Sequence, residues 1–141
     1  MADLHHFYHI YADGEWQEPV EEHLEALRAS GLGKEDGFSL NVGLVGNESN
    51  ITAVRKFLSN QSIRWAEIAS SQEGWEQVTL EVLARESHTL EGFAFYAHTK
   101  GASVPSRFNT AWRQRMTSTQ SRTGATQSAH SRRTMLMVAI G

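Results

Sequence analysis

FSLNVGLVGN, Phe38 to Asn47, is the stretch on which the fold turns. Phe38, Leu40, Val42 and Leu44 alternate with Ser39, Asn41 and Gly43, a period of two that belongs to a β-strand. Helical spacing flanks it on both sides. Upstream, Val20, Leu24 and Leu27 recur at four and three residues behind Pro19, which the first turn of a helix tolerates, and Gly31 stops the run. Downstream, a helix is predicted from about Ser49, with Ile51, Val54 and Leu58 on its apolar side. Further out, LHHFYHIY (Leu4 to Tyr11) reads as a strand closed by Asp13 and Gly14, IRWAEI (Ile63 to Ile68) as a short third strand and GFAFYAH (Gly92 to His98) as a fourth. Ser70 and Glu73 have capping-box spacing, so a third helix is expected there, with Trp75, Val78, Val82 and Leu83 forming its stripe. Phe108, Ala111, Trp112 and Met116 predict a helix after the fourth strand.

This alternation of strand and helix, with short connections, calls for an α/β fold: a Rossmann-like, mostly parallel sheet of about four strands with helices on both faces. The 141 residues suit one domain, and 40% hydrophobic with 21% charged residues is a globular composition. No apolar run approaches the ~20 residues a bilayer requires, so no membrane span is expected. The N-terminus has neither a basic segment nor an apolar one, which makes a cytoplasmic location the default. The absence of cysteine excludes disulfides, thiolate metal sites and thiol nucleophiles.

Charge is unevenly spread. All 16 acidic residues lie at or before Glu91, whereas residues 92–141 carry seven of the 13 Lys and Arg and no acid. That polarity favours an anionic ligand at the C-terminal end. From Thr117 the chain reads TSTQSRTGATQSAHSRRT, 18 positions without a large apolar residue. Such a segment supplies no core face and is expected to be disordered or irregular. The expected organisation is an α/β unit over 1–116 and a low-complexity basic tail over 117–141, whose closing MLMVAI either docks as an extra strand or stays unpaired.

In open parallel sheets ligands bind outside the carboxyl ends of the strands. His98, Thr99 and Lys100 fall at that end of the fourth strand, and Gly101 lets the backbone turn toward an anion. His9 and Tyr11 share a face at the end of the first strand, beside Asp13 and Gly14. Arg113 lies about two turns into the following helix, and Glu76 near the start of the third is a candidate acid or base. His5 and His9 have the same-face strand spacing that could hold a metal, but packed or solvated histidines account for it better. Trp65, Trp75 and Trp112 fit core positions better than a stacking platform. There is no phosphate loop, no nucleophile elbow and no H-E-x-x-H helix. With aspartates only at 3, 13 and 36 there is no D-x-D motif, so no metal set is assigned and a divalent ion would need other ligands.

The segments FYHIYADGEWQEPVEEHLEALRASGL, VGLVGN, WEQVTLEVLARES, YAHTKGAS and FNTAWRQRM together resemble the N-terminal half of a bacterial glycosyltransferase-like (GT-A-like) family, over residues 7–116. His9, Gly14, Trp16, His23, Glu76, Tyr96, His98, Thr99, Lys100, Gly101, Trp112 and Met116 match its pattern. The resemblance implies an N-terminal sheet that binds a nucleotide-diphospho-sugar and transfers the sugar to a hydroxyl acceptor, with acceptor-side residues coming from a C-terminal half. It implies diphosphate or sugar contacts for His98, Thr99 and Lys100, turns shaped by Gly14 and Gly101, and packing for Trp112 and Met116; joined to the strand-end reading, this makes Glu76 and His98 the catalytic candidates and His9, Tyr11, Asp13, His98, Thr99, Lys100, Gly101 and Arg113 the substrate-binding ones. The chain departs from that family after Met116, where a further helix and a Phe-Ser-Gly-Asn-Phe-Trp-Trp-type segment are missing. A truncated or frame-shifted, inactive product is therefore one expectation, and a non-catalytic nucleotide-binding remnant is the alternative. Nucleic-acid binding through the basic C-terminal part rests on charge alone and is disfavoured.

Overall fold

β1 (Leu4–Tyr11) occupies the middle of the sheet, because it offers an apolar surface on both sides. In the computed structural model, which describes residues 3–99 and, for backbone alone, 134–137, the chain continues through α1 (Gln17–Ser30), β2 (Phe38–Val45), α2 (Glu48–Ser59), β3 (Trp65–Ser71), α3 (Gln77–Glu86), β4 (Phe93–His98) and β5 (Thr134–Met137). The strand order is β3-β2-β1-β4-β5 and every pairing is parallel. This is the α/β parallel sheet expected from the alternation. The closing apolar segment contributes a strand through Thr134–Met137; the helix expected over Phe108–Met116 and the rest of the tail lie outside the described residues.

The topology follows from which face each crossover covers. β1, β2 and β3 step in one direction, so right-handed crossovers place α1 and α2 on the same face. There Leu4, Tyr8 and Ile10 of β1, with Leu40, Val42 and Leu44 of β2, pack against Val20, Leu24, Leu27, Ile51, Val54 and Leu58. The chain then passes from β3 back across β1 to β4, and α3 lies on the opposite face, where Phe7, Ala94 and Tyr96 meet Leu83. The reversal puts a topological switch point between the carboxyl ends of β1 and β4.

Local chemistry explains the boundaries. Pro19 is the third residue of α1, where its missing N–H had no helical partner to lose. Asn47 caps α2, its side chain accepting from Asn50 N at 2.9 Å. β3 runs to Ser71 rather than ending at Ile68, since Leu44 and Val45 of β2 pair with Ser70 and Ser71. Ser70 is therefore strand and not a helix cap. α3 starts only at Gln77, so Trp75 precedes the helix and is exposed, contrary to the core position expected for it. At the β3 edge Arg55 clamps Glu67 in a bidentate pair at 2.7 and 3.1 Å and reaches Glu48 at 3.1 Å; those carboxylates raise its already high pKa.

Beneath α1 lies a buried polar pair. His6 and His23 are both fully buried, with their Nε2 atoms 2.6 Å apart. His6 Nδ1 is 3.3 Å from the Phe95 carbonyl, which only accepts, so that nitrogen carries the proton. The neutral ring's Nε2 is then an acceptor, and His23 Nε2–H donates to it. The bonds run one way, from His23 through His6 to Phe95.

Candidate functional site

Five residues form a closed circuit around the switch point. The Tyr11 and Trp75 rings lie nearly parallel, 16° apart with centroids at 5.8 Å. Trp75 leads directly to Glu76, whose Oε1 is 2.6 Å from His98 Nδ1. His98 leads to Thr99, and Thr99 Oγ1 accepts from the Tyr11 backbone N–H at 3.0 Å. The Thr99 N–H in turn donates to the His9 carbonyl at 3.0 Å, extending the β1–β4 ladder to the rim. β1, β4 and the start of α3 thus each deliver part of one cluster, because all three end at the same edge of the sheet.

The Glu76–His98 pair has a defined polarity. A carboxylate accepts, so Nδ1 of His98 carries the hydrogen and the basic lone pair of the neutral ring is on Nε2. His98 is mostly shielded and Glu76 half exposed. Tyr96 stacks on His98 with centroids 5.9 Å apart. Burial, reinforced by the Glu76 carboxylate, pushes the Tyr96 phenol well above its ordinary pKa, so it stays neutral.

The other predicted residues have different placements. His9 is only 3% exposed and lies under the rim with Nδ1 2.7 Å from Thr79 Oγ1. Burial, with repulsion from His98 as a smaller cause, pushes its imidazole down to about 4. It is a neutral floor residue. Asp13 turns toward α2, where Oδ1 accepts from Asn47 N at 2.7 Å and Asn50 Nδ2 at 2.9 Å, bracing the β1–α1 turn. His5 is engaged at the far end of β1 by Ser39 Oγ and the Glu91 carbonyl. Lys100, Gly101 and Arg113 lie outside the described residues. Among the described residues no three His, Asp or Glu side chains converge as a metal would need.

Sequence reasoning missed Thr79 and Trp75. Thr79 is three residues after Glu76 and four before Leu83, a spacing that places it on the sheet-facing side of α3. Its hydroxyl supports His9. Trp75 was obscured by its helix-like interval to Val78 and Val82. Away from the rim, a groove of about 470 Å³ between α1 and α2, lined by Glu21, Glu22, Glu25, Arg28, Phe57 and Gln61, holds none of the circuit.

Comparison of the chain with protein-family models, with curated proteins and with solved structures finds no match.

Proposed function

We propose that the protein belongs, by function, to the ligand-binding α/β domains that work at a sheet switch point on hydroxyl compounds. More particularly, we propose a glycosyltransferase-like activity using a nucleotide-diphospho-sugar donor. The Glu76–His98 pair at the rim is the observation that carries the reading. Glu76 holds the imidazole through Nδ1 and stabilises the imidazolium that forms when Nε2 takes a proton from an acceptor hydroxyl. The acceptor oxygen then forms its bond to the anomeric carbon as that carbon's bond to the donor phosphate breaks. The electron pair leaves on the nucleoside diphosphate. Thr99 supports the reading as a rim hydroxyl, and Lys100, next in sequence, supplies a cation for the departing diphosphate.

A thermal-shift screen of the full chain against uridine, guanosine and thymidine diphosphates and their sugars, followed by assays of sugar release and transfer, tests this. At least one nucleotide sugar is expected to stabilise the chain and to be turned over. His98→Ala should then lower turnover by about 10²-fold or more, while Glu76→Gln, which keeps an acceptor but removes the charge, should lower it less and shift the pH profile. Stabilisation without turnover would favour the non-catalytic reading. Neither stabilisation nor turnover with any donor would end the proposal.

A further inference from the structure

Trp75 is 65% exposed, an unusual position for so large an apolar surface, and yet it is firmly placed. Gly74 precedes it with φ 114°, a conformation side-chain-bearing residues rarely adopt. The Trp75 N–H donates to Gln77 Oε1 at 2.9 Å, and Tyr11 stacks against the indole. The chain therefore holds an apolar plate in water, one residue from Glu76.

Of the groups that stack on an indole, the two that the proposed transfer brings to the rim are nucleobases and the C–H faces of pyranose rings. A nucleotide brings phosphates within a nucleoside's length of its base, and the charge around this plate is unfavourable to them. Among the described residues no Lys or Arg occurs in 3–27, 65–84 or 86–99, which supply β1, β3, β4, most of α1 and α3, and the β1–α1 and β3–α3 turns beside the plate; Lys100, which follows Thr99 in sequence, is the cation assigned above to the donor diphosphate. Asp13, Glu15 and Glu76 are there instead. A pyranose carries no charge and presents hydroxyl donors that carboxylates accept.

We infer that Tyr11 and Trp75 form the stacking platform of a pyranose subsite, with the Glu76 carboxylate receiving a ring hydroxyl. This makes the acceptor of the proposed transfer a glycoside, and as an acceptor assignment it rests on that reading. The donor nucleotide is then bound elsewhere along the rim.

The test uses the full chain labelled with nitrogen-15, following the Trp75 indole N–H resonance, assigned by its loss in Trp75→Phe. Methyl glycosides of glucose, galactose, mannose and N-acetylglucosamine are titrated in turn, and uridine diphosphate separately. At least one glycoside is expected to move the Trp75 resonance saturably at millimolar concentration, whereas uridine diphosphate leaves it in place. Trp75→Ala should weaken the glycoside by about tenfold, the scale of one stacking contact, as read by saturation transfer to the sugar. Movement of the resonance by uridine diphosphate, or by none of these probes, overturns the subsite. Donor stabilisation with a silent Trp75 removes the subsite alone. Glycoside binding without any donor binding removes the transfer reading and leaves the subsite standing.

Discussion

On acidification below about pH 6.5 the protein is expected to lose stability steeply and to unfold well before pH 4. Burial is the leading cause that pushes His6 and His9 down to about 4, with repulsion from His98 adding at His9, and it holds His23 well below the ordinary histidine value, helped by repulsion from His6. In the unfolded chain each would titrate near 6.5. The folded state thus binds fewer protons. Its stability is complete above the unfolded value and falls as pH drops through 6.5 toward 4. One proton contributes about 1.4 kcal/mol per pH unit, so His6 and His9 together contribute about 3 kcal/mol per unit and about 4 kcal/mol by pH 5, and His23 adds in the same direction. That is a large part of the whole stability of an ordinary domain, about 5–15 kcal/mol. Urea unfolding followed by circular dichroism at several pH values measures the slope. The double variant His6→Phe, His23→Leu, which removes two of the three groups and takes away both partners of the His6–His23 bond together, should reduce the slope to about one proton. A wild-type midpoint indifferent to pH across this range would refute the account, as would an unchanged slope in the double variant.

The second large effect belongs to Gly43. An added Cβ there would overlap the Thr79 hydroxyl and lie 2.8 Å from Thr79 Cβ and 3.2 Å from Cγ2. Thr79 cannot easily swing away, because it is fully buried and its Oγ1 is engaged by His9. Gly43→Ala must therefore lift α3 off the sheet, at a cost of about 3 kcal/mol, or roughly 10 °C in melting temperature. Binding at the rim should suffer with it, since the start of α3 carries Glu76. Pairing the change with Thr79→Gly removes the overlapping atoms and should recover part of the melting temperature. A Gly43→Ala protein as stable as the parent would show that α3 does not pack on β2 this closely.

The fold was readable because burial writes itself into spacing. The alternation across Phe38–Leu44 became β2, and the apolar intervals of residues 20–27 and 51–58 became the buried faces of α1 and α2. Spacing failed where pairing prevailed over it. Ala69, Ser70 and Ser71 have little strand character, yet β2 recruits them as partners. The false capping box at Ser70 and Glu73 moved the predicted helix upstream and drew Trp75 into its stripe. Glu76 and His98 could each be suspected from position, but their 2.6 Å contact depends on a crossover across the sheet that no local spacing records. His23 offered a signal that went unused. Val20, His23, Leu24 and Leu27 occupy one helical face, which places an imidazole in the apolar layer.

The Arg55 clamp on Glu67 also bears on how these molecules meet one another. Among the described residues β3 ends the hydrogen-bonded order on its side, leaving backbone groups on which a neighbour's strand could be templated. A second sheet approaching along that margin would have to strip water from a fixed guanidinium and its two carboxylates before any ladder could form. The same trio that steadies α2 against β3 thus acts as a fence against fibre-like stacking, and concentrated solutions should stay clear for as long as it stands.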